Sequence, residues 1–184
     1  MASEVTGKIS RDHIVYNDLG NPEIHAEEVK TVYDLVERAG ELFGEKVFLR
    51  YERNEVVYEK SYRVFADTAR IFAAWARDKK EELGHPVRVS LVGQKGYTYL
   101  AVLFGITGAS GVSIPLDVQL SNAVMASTVN RADTDVVFYD WEYGSQISYL
   151  KENCPGVKEF ICLQQMKKEA SAREILDKYE GVSF

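Results

Sequence analysis

The stretch from Val87 to Asp117, VRVSLVGQKGYTYLAVLFGITGASGVSIPLD, decides the fold. In segment 87–91 apolar residues alternate with polar ones, which is typical of a short strand. Glycines at both ends of segment 93–96 interrupt this strand. Segment 97–109 is apolar on nearly every face, as in a helix that is buried on several sides. Segment 112–115 is again short and apolar, so the stretch predicts two parallel strands joined by a helix.

Strands and helices alternate along the rest of the chain at a regular spacing. Predicted strands begin near residues 87, 111, 135 and 158, about 24 residues apart. Helices are predicted after Ser121 and around Tyr143 to Leu150, and a charged helix is predicted from about Ala170 to Tyr179. We therefore predict the α/β class, with an open, mostly parallel sheet and helices on both of its faces.

Two helices and a hairpin precede the central stretch. Thr31 is predicted to cap a first helix, with Asp34 completing a capping box. A β-hairpin follows over residues 47–58 and turns at Arg53-Asn54. Ser61 begins the longest helix, which ends at Gly84. The apolar residues of the first helix recur at helical spacing: Val32, Leu35, Val36, Ala39, Leu42 and Phe43. Those of the longest helix form one stripe: Val64, Phe65, Thr68, Ala69, Phe72, Trp75 and Ala76.

The domain organisation is predicted to be simple. Residues 1–30 are polar, contain the turn signal Asn21-Pro22, and are expected to form an irregular N-terminal arm. Residues 31–184 contain no linker-like segment, so we predict that they form a single α/β lobe, or part of a larger one.

The composition excludes several classes of protein. The chain has 184 residues, of which 46% are hydrophobic and 27% charged, so it can bury a core without a disulfide or metal. Its net charge of −6 weighs against nucleic acid and anionic membranes as partners. No apolar run reaches the roughly 18 residues of a transmembrane helix. With no secretory signal visible, we expect a cytoplasmic protein with reduced thiols at Cys154 and Cys162.

The loop 93–96 is the first candidate for ligand binding, because ligands commonly lie where a parallel strand ends and a helix begins. Backbone N–H groups at the helix start, together with Lys95, would favour a phosphate. The spacing of the glycines matches neither GxxxxGK[ST] nor GxGxxG, however. A tight turn beside an exposed lysine explains the loop more simply, so we assign no cofactor-binding residue.

No other pattern predicts catalysis or metal binding. Gly105, Gly108 and Gly111 lie at the end of a predicted helix, where the helix dipole disfavours phosphate, so close packing and helix termination explain them better. The three histidines are His13, His25 and His85, and none of them has a second histidine or a cysteine at metal-binding spacing. The serines lack a G-x-S-x-G motif. We therefore assign no catalytic and no metal-binding residue.

The order of several motifs resembles the beginning of the adenylate-forming (AMP-binding) ligases. In that family a SYxEL helix, a GDRVAI strand, an EYL-type helix and a KAGAxxVPLD segment follow one another. The corresponding stretches here are Ser61-Tyr62, VRVSLVG (87–93), GYTYLAVLFG (96–105) and, as the best match, GASGVSIPLD (108–117). PLDVQLS and PGVKEFICL look most like the acyl-CoA synthetases that act on fatty or other aliphatic acids. The resemblance covers about residues 31–163.

This resemblance implies the N-terminal lobe of the acyl-CoA synthetase-like fold. For the parent enzyme it implies an AMP-forming, long-chain fatty acid–CoA ligase or a relative of one, with ATP, Mg and coenzyme A as cofactors. In such enzymes a carboxylate attacks the α-phosphate of ATP, and a thiol then captures the acyl-adenylate. The family's phosphate loop and catalytic lysine come after the matched region, so we expect this piece alone to be inactive. Its implied partners are a carboxylic acid and the remainder of its own ligase chain, with a homodimer as a further option.

Some positions depart from the family pattern. Val64-Phe65 replaces the usual Glu-Leu pair, Thr107 stands where a lysine is common, and the helix after Ser121 lacks its usual glutamates. The alternative hypothesis is a stand-alone, non-catalytic α/β binding or interaction module. A severed lobe would expose a larger apolar patch than such a module. A receiver-like domain is disfavoured, because Asp117 and Asp140 are poorly placed for its acidic cluster.

Overall fold

A computed structural model describes residues 7–9, 14–16, 29–53, 55–164 and 170–181. The chain divides into two compact units, Met1–Lys30 and Thr31–Phe184. In the first unit β1 (Gly7–Ile9) pairs antiparallel with β2 (Ile14–Tyr16). The expectation of an irregular arm is therefore wrong at these residues. β-branched residues favour extended pairing, and they are Ile9 in the first segment and Ile14 and Val15 in the second. The predicted turns at Asn21-Pro22 and at Asn54 lie outside the described residues.

The second unit begins with a capped helix and a hairpin. The Asp34 N–H donates to the Thr31 hydroxyl (3.0 Å), and the Thr31 N–H donates to the Asp34 carboxylate (2.8 Å). This confirms the predicted capping box of α1 (Val32–Phe43). β3 (Val47–Arg53) and β4 (Val56–Ser61) then pair antiparallel, as predicted for the hairpin.

The longest helix, α2 (Tyr62–Leu83), has the predicted ends. The Val64 N–H donates to the Ser61 hydroxyl at its start (3.3 Å), and Gly84 ends it with a left-handed φ of +74°. Val64 itself is 40% exposed, against prediction, because periodicity identifies a helix face but not how far neighbouring elements cover it. The other members of the predicted stripe are buried: Phe65, Thr68, Ala69, Phe72, Trp75 and Ala76.

The rest of the unit is a parallel sheet with its connecting helices. The strands are β5 (Arg88–Val92), β6 (Val112–Leu116), β7 (Val136–Tyr139) and β8 (Glu159–Cys162). They are hydrogen-bonded in the order β6-β5-β7-β8, and every neighbouring pair is parallel. The helices between and after them are α3 (Tyr97–Gly108), α4 (Asn122–Arg131), α5 (Gly144–Asn153) and α6 (Ala172–Lys178). A short 3-10 helix, Trp141–Tyr143, precedes α5.

Helices cover both faces of this sheet and form two cores. On one face, Leu91 and Phe138 pack with residues of α1, α2, α3 and α6. On the other, Val92 and Val137 pack with residues of α4 and α5. The predicted α/β class, with an open parallel sheet between two helical layers, is confirmed.

The first helix carries more apolar surface than its neighbours cover. Val36 is buried, but Val32, Leu35 and Leu42 are 58%, 45% and 40% exposed. Their helical spacing indicates that α1 is amphipathic, but it does not show which of these apolar side chains contact another element. In the structure α1 approaches α2 closely at Gly40, since a Cβ on this residue would lie 2.7 Å from the Ala66 Cβ of α2.

The last helix is held to α2 by a tyrosine. The Tyr179 hydroxyl donates to Asp78 Oδ2 (2.6 Å). Burial, reinforced by this carboxylate, raises the pKa of Tyr179 from 10.0 to about 12. An unfolded chain would lose the phenolic proton near its ordinary pKa, whereas the folded chain retains it to higher pH.

We therefore expect the contribution of Tyr179 to the free energy of unfolding to be fully present below its unfolded pKa, and to be lost as the pH rises from the unfolded to the folded pKa. Urea denaturation on both sides of that window measures the loss. Tyr179→Phe should flatten the decline, whereas Tyr58→Phe, at an exposed position, should not. Equal declines in Tyr179→Phe and the original protein would contradict this assignment.

Candidate functional site

The parallel sheet has a switch point between β5 and β7. β5 leads into α3 on one face, and β7 leads into the 3-10 helix and α5, which packs on the other. Loops that diverge in this way leave a crevice at the carboxyl ends of the strands, where α/β proteins bind ligands. Here Gly93 and Gln94 follow β5, and Asp140 follows β7.

A buried carboxylate occupies this crevice. Asp140 is 8% exposed, and its Oδ2 accepts the backbone N–H of Gln94 (3.2 Å). The Asp140 N–H donates to the carbonyl of Val92 (2.8 Å). A Cβ on Gly93 would lie 3.0 Å from the Asp140 Cβ, so glycine lets the two loops approach each other.

The side chain of Gln164 joins a third loop to this arrangement. Its Nε2 donates to Asp140 Oδ1. Its Oε1 accepts the backbone N–H of Trp141 (3.2 Å) and faces the Cys162 thiol (3.4 Å). Both ends of the amide therefore have partners, and Gln164 ties the loops after β7 and β8 together.

Two adjoining clefts open at this edge of the sheet. The larger, of about 450 Å³, lies between the crevice and the β3–β4 hairpin; Tyr51, Tyr97 and Tyr99 line it with Lys95 and Asp140, among others. The second, of about 410 Å³, shares Lys95 and Tyr99 with the first and extends to the residues that follow β6. Both volumes lie within the range of small-molecule sites.

The loop 93–96 is not arranged as a phosphate cradle. Two of its N–H groups are engaged internally, since that of Gln94 donates to Asp140 and that of Gly96 donates to the Gln94 carbonyl (2.8 Å). A buried carboxylate beside the loop would also repel a phosphate. These contacts support a tight turn. That the lobe has no cofactor-binding residue stays a prediction.

The helix-terminal glycines serve close packing, as predicted. A Cβ on Gly105 would lie 2.5 Å from the Ala69 carbonyl oxygen, and one on Gly108 would lie 2.4 Å from the Tyr33 ring. A Cβ on Gly111 would lie 2.8 Å from Ile106 Cγ2. α3 therefore approaches both α2 and α1 through glycine, rather than presenting glycines to a ligand.

The structure brings together few of the residue types used for metal binding. His85 lies at the amino end of the sheet, with its Nε2 3.6 Å from Asp135 Oδ1; His13 and His25 lie outside the described residues. Within the described ranges, no three His, Cys, Asp or Glu side chains form a group that could hold a metal ion. Cys154 and Cys162 are buried, and burial raises the pKa of the Cys154 thiol. None of the helices in the described part of the chain has the length and hydrophobicity for a membrane crossing.

The Asp140–Gln164 contact was not predicted from the sequence. Asp140 directly follows the buried strand VVFY, and polar residues at the carboxyl ends of parallel strands converge on one edge. That rule places Asp140 at the same edge of the sheet as the loop 93–96, but only the strand order shows that the two are neighbours. Gln164 carries no comparable signal, since a glutamine after a strand is ordinary loop composition.

Asp140→Ala is expected to lower the free energy of unfolding by about 2 kcal/mol, because the Gln94 N–H and the Gln164 amide lose a buried acceptor. Asp117→Ala is the matched control: Asp117 also follows a strand at this edge, but it is exposed and accepts the Gln119 N–H (2.9 Å). We expect that variant to lose less than about 1 kcal/mol. Urea denaturation followed by circular dichroism compares the two, and equal losses would contradict a structural role for Asp140.

Comparisons with known proteins identify the fold. No protein-family model matches the chain. It is 24% identical over 124 residues to a polyketide synthase–nonribosomal peptide synthetase of Phaeosphaeria nodorum, covering 67% of this chain and 3% of that protein. It is 26% identical over 151 residues to 4-hydroxybutyrate–CoA ligase 2 of Metallosphaera sedula, covering 81% of this chain and 26% of the ligase.

A solved structure with a similar fold is also a CoA ligase, like the Metallosphaera relative. The chain superposes on an anthranilate–CoA ligase in complex with anthranoyl-AMP with a TM-score of 0.66 and 15% identity, covering 80% of this chain and 27% of that one. The chain thus spans about a quarter of the length of these two ligases. Its fold is that of the N-terminal lobe of the acyl- and aryl-CoA ligases, as the motif resemblance predicts.

Proposed function

We propose that this chain is the N-terminal lobe of an ATP-dependent, AMP-forming ligase that activates a carboxylic acid as its acyl-adenylate and transfers the acyl group to a thiol. One observation carries the proposal: a chain 26% identical over most of its length to a CoA ligase also has the fold of a ligase solved with an acyl-AMP. The order of the motifs over residues 61–117 supports the same conclusion.

In this proposal the lobe is a structural part of the enzyme, and most of the residues that bind cofactors and catalyse the reaction lie in the rest of the chain. The described residues offer no three-ligand metal group, and the loop 93–96 is engaged with Asp140 rather than open to phosphate. We therefore propose that ATP, Mg and coenzyme A are held mainly by polypeptide outside these 184 residues. On this view the 184-residue chain alone neither binds ATP tightly nor turns over.

The substrate we propose is a fatty or other aliphatic carboxylic acid. The segments PLDVQLS and PGVKEFICL resemble those of acyl-CoA synthetases that act on such acids, which supports this choice. One relative is named for the aliphatic acid 4-hydroxybutyrate. We propose coenzyme A as the acceptor and the cytoplasm as the site of action. The other relative is a polyketide synthase–nonribosomal peptide synthetase, so a carrier-protein thiol is the acceptor to test against coenzyme A.

The experiment begins with the DNA downstream of the Phe184 codon. We expect the frame to continue into a Ser/Thr/Gly-rich phosphate loop. The extended protein should release pyrophosphate from ATP only when a carboxylic acid is present, and mass spectrometry should detect the acyl-CoA. The 184-residue chain is the control. A frame that ends at Phe184, or an extended protein inactive with a panel of aliphatic and aromatic acids, would favour the stand-alone binding module.

A further inference from the structure

The start of α3 leaves several hydrogen-bond donors without an acceptor. The N–H of Leu100 donates to the carbonyl of Gly96, the residue that precedes the helix (3.0 Å). The three N–H groups before it, those of segment 97–99, have no acceptor within the part of the chain that the structure describes. Gly96 has no side chain that could cap the helix, and the first turn contains no acidic residue. These N–H groups carry partial positive charge and therefore favour an acceptor from outside the helix.

A buried tyrosine in this first turn adds a further donor. Tyr99 is 3% exposed, and its hydroxyl forms no hydrogen bond with any described residue. The hydroxyl oxygen is not fully enclosed by protein, and Tyr99 lines both of the clefts at this edge of the sheet. Because side chains in a helix lean towards its N-terminus, the ring points to the end of α3 where the N–H groups are free. Buried polar groups nearly always have a partner, so this hydroxyl indicates that a bound molecule supplies one.

The walls of the larger cleft are largely aromatic. Tyr51 and Tyr97 line it together with Tyr99. Tyr97 is held in place, because its hydroxyl is hydrogen-bonded to that of Thr68 (2.5 Å). Tyr51 stacks on Tyr58, with their ring centroids 5.4 Å apart. Rings that are fixed in this way form a preformed surface for a flat apolar molecule.

The charges around this cleft favour an uncharged ligand. Lys95 is an exposed cation, whereas the carboxylates of Glu52 and the buried Asp140 also line the cleft. A phosphate or carboxylate at the start of α3 would be repelled by Asp140, and this repulsion is screened less than the attraction of the exposed lysine. A cation would meet the positive end of the helix. A carbonyl oxygen accepts the same hydrogen bonds without either penalty.

We propose that the larger cleft binds a small, flat and uncharged aromatic molecule through its carbonyl oxygen. That oxygen accepts hydrogen bonds from the Tyr99 hydroxyl and from an N–H group at the start of α3, and the ring lies against Tyr51 and Tyr97. Burial raises the pKa of Tyr99, so its hydroxyl stays a donor at neutral pH. The site belongs to the lobe itself and does not depend on the reaction of a longer ligase.

Titration of the nitrogen-15-labelled 184-residue chain with benzamide, followed by NMR, tests this inference. Benzamide is an uncharged aromatic ring with one carbonyl, while benzoate and benzylamine present the same ring with a negative and a positive charge. We expect benzamide to shift the backbone amide signals of residues 97–99. It should bind at least about fivefold more tightly than either charged probe, because only the uncharged acceptor avoids both electrostatic penalties.

Tyr99→Phe keeps the ring and removes only the hydroxyl donor. We expect this variant to bind benzamide about fivefold more weakly than the original chain. Tyr58→Phe is the matched control, since it removes an exposed hydroxyl outside the cleft lining and keeps the ring that stacks on Tyr51. Lys95→Ala should leave the affinity for benzamide unchanged, because the ligand carries no charge.

Three results would overturn the inference. Tighter binding of benzoate, lost in Lys95→Ala, would show that the start of α3 is an anion site instead. Equal affinities of Tyr99→Phe and the original chain for benzamide would show that the hydroxyl does not face the ligand. Unshifted signals of residues 97–99 at about 50 mM benzamide would show that the cleft does not bind this class of molecule.

Discussion

Phe138→Ala is expected to lower the free energy of unfolding by about 4 kcal/mol, the largest effect of any substitution considered. Phe138 lies in the inner strand β7 and is fully buried. Its ring meets Phe72 edge-on at a centroid distance of 6.0 Å and Trp75 at 5.3 Å. Removing it leaves a cavity between β7 and α2 and ends both aromatic contacts, each of which adds to the cost of lost burial.

Trp141→Ala is the matched control for this substitution. Trp141 is an aromatic residue just beyond the same strand, but it is 52% exposed, and its backbone N–H, which bonds to Gln164, is retained. We expect it to cost less than about 1 kcal/mol. Urea denaturation followed by far-UV circular dichroism gives both values. Comparable losses would show that the core on the α2 side of the sheet does not dominate stability.

Gly105→Ala is expected to lower the free energy of unfolding by about 3 kcal/mol, although alanine is the better helix former. The new methyl group would lie 2.5 Å from the Ala69 carbonyl oxygen and 2.6 Å from the Phe72 Cβ. These atoms belong to the backbone and the first side-chain carbon of α2, so a rotamer change cannot relieve the overlap. α3 would have to move away from α2 and loosen the contacts between them.

Gly144→Ala is the matched control, because the added methyl group meets no neighbouring atom. Gly144 begins α5 with helical φ and ψ, and a Cβ there meets no atom within 4 Å. We expect a neutral effect or a gain of up to about 1 kcal/mol. Thermal unfolding of the two variants in parallel makes the comparison. A Gly105→Ala variant as stable as Gly144→Ala would mean that α2 and α3 are less closely packed than the structure shows.

The local elements were predictable because each carries its own signal in the chain. The cap at Thr31, the cap at Ser61 and the left-handed end at Gly84 all lie where the sequence places them. The parallel pairing of β5 with β6 also follows from the sequence, because so short a strand–helix–strand segment leaves little alternative.

Long-range contacts were harder to predict, because periodicity does not say how far a neighbour extends. Leu35 and Leu42 have the same helical spacing as the buried Val36, and yet both are exposed. The order β6-β5-β7-β8 is a property of tertiary packing, and the alternation of strands and helices is compatible with other orders.

The sequence analysis considered the loop after β5 but assigned no site residue there. The rule for parallel sheets directs attention to that loop. It does not show that a carboxylate from the loop after β7 fills the crevice and accepts the Gln94 N–H. A contact between residues 46 positions apart depends on strand order, which the sequence leaves open.

The two helical layers contain different natural probes of folding. Trp75 lies in the core formed by α1, α2, α3 and α6, whereas both thiols, Cys154 and Cys162, lie in the core beneath α4 and α5. In a Trp141→Phe background, indole fluorescence would therefore follow the opening of one layer, and alkylation of the cysteines the opening of the other. This single variant can thus reveal whether the two helical layers unfold together or one before the other.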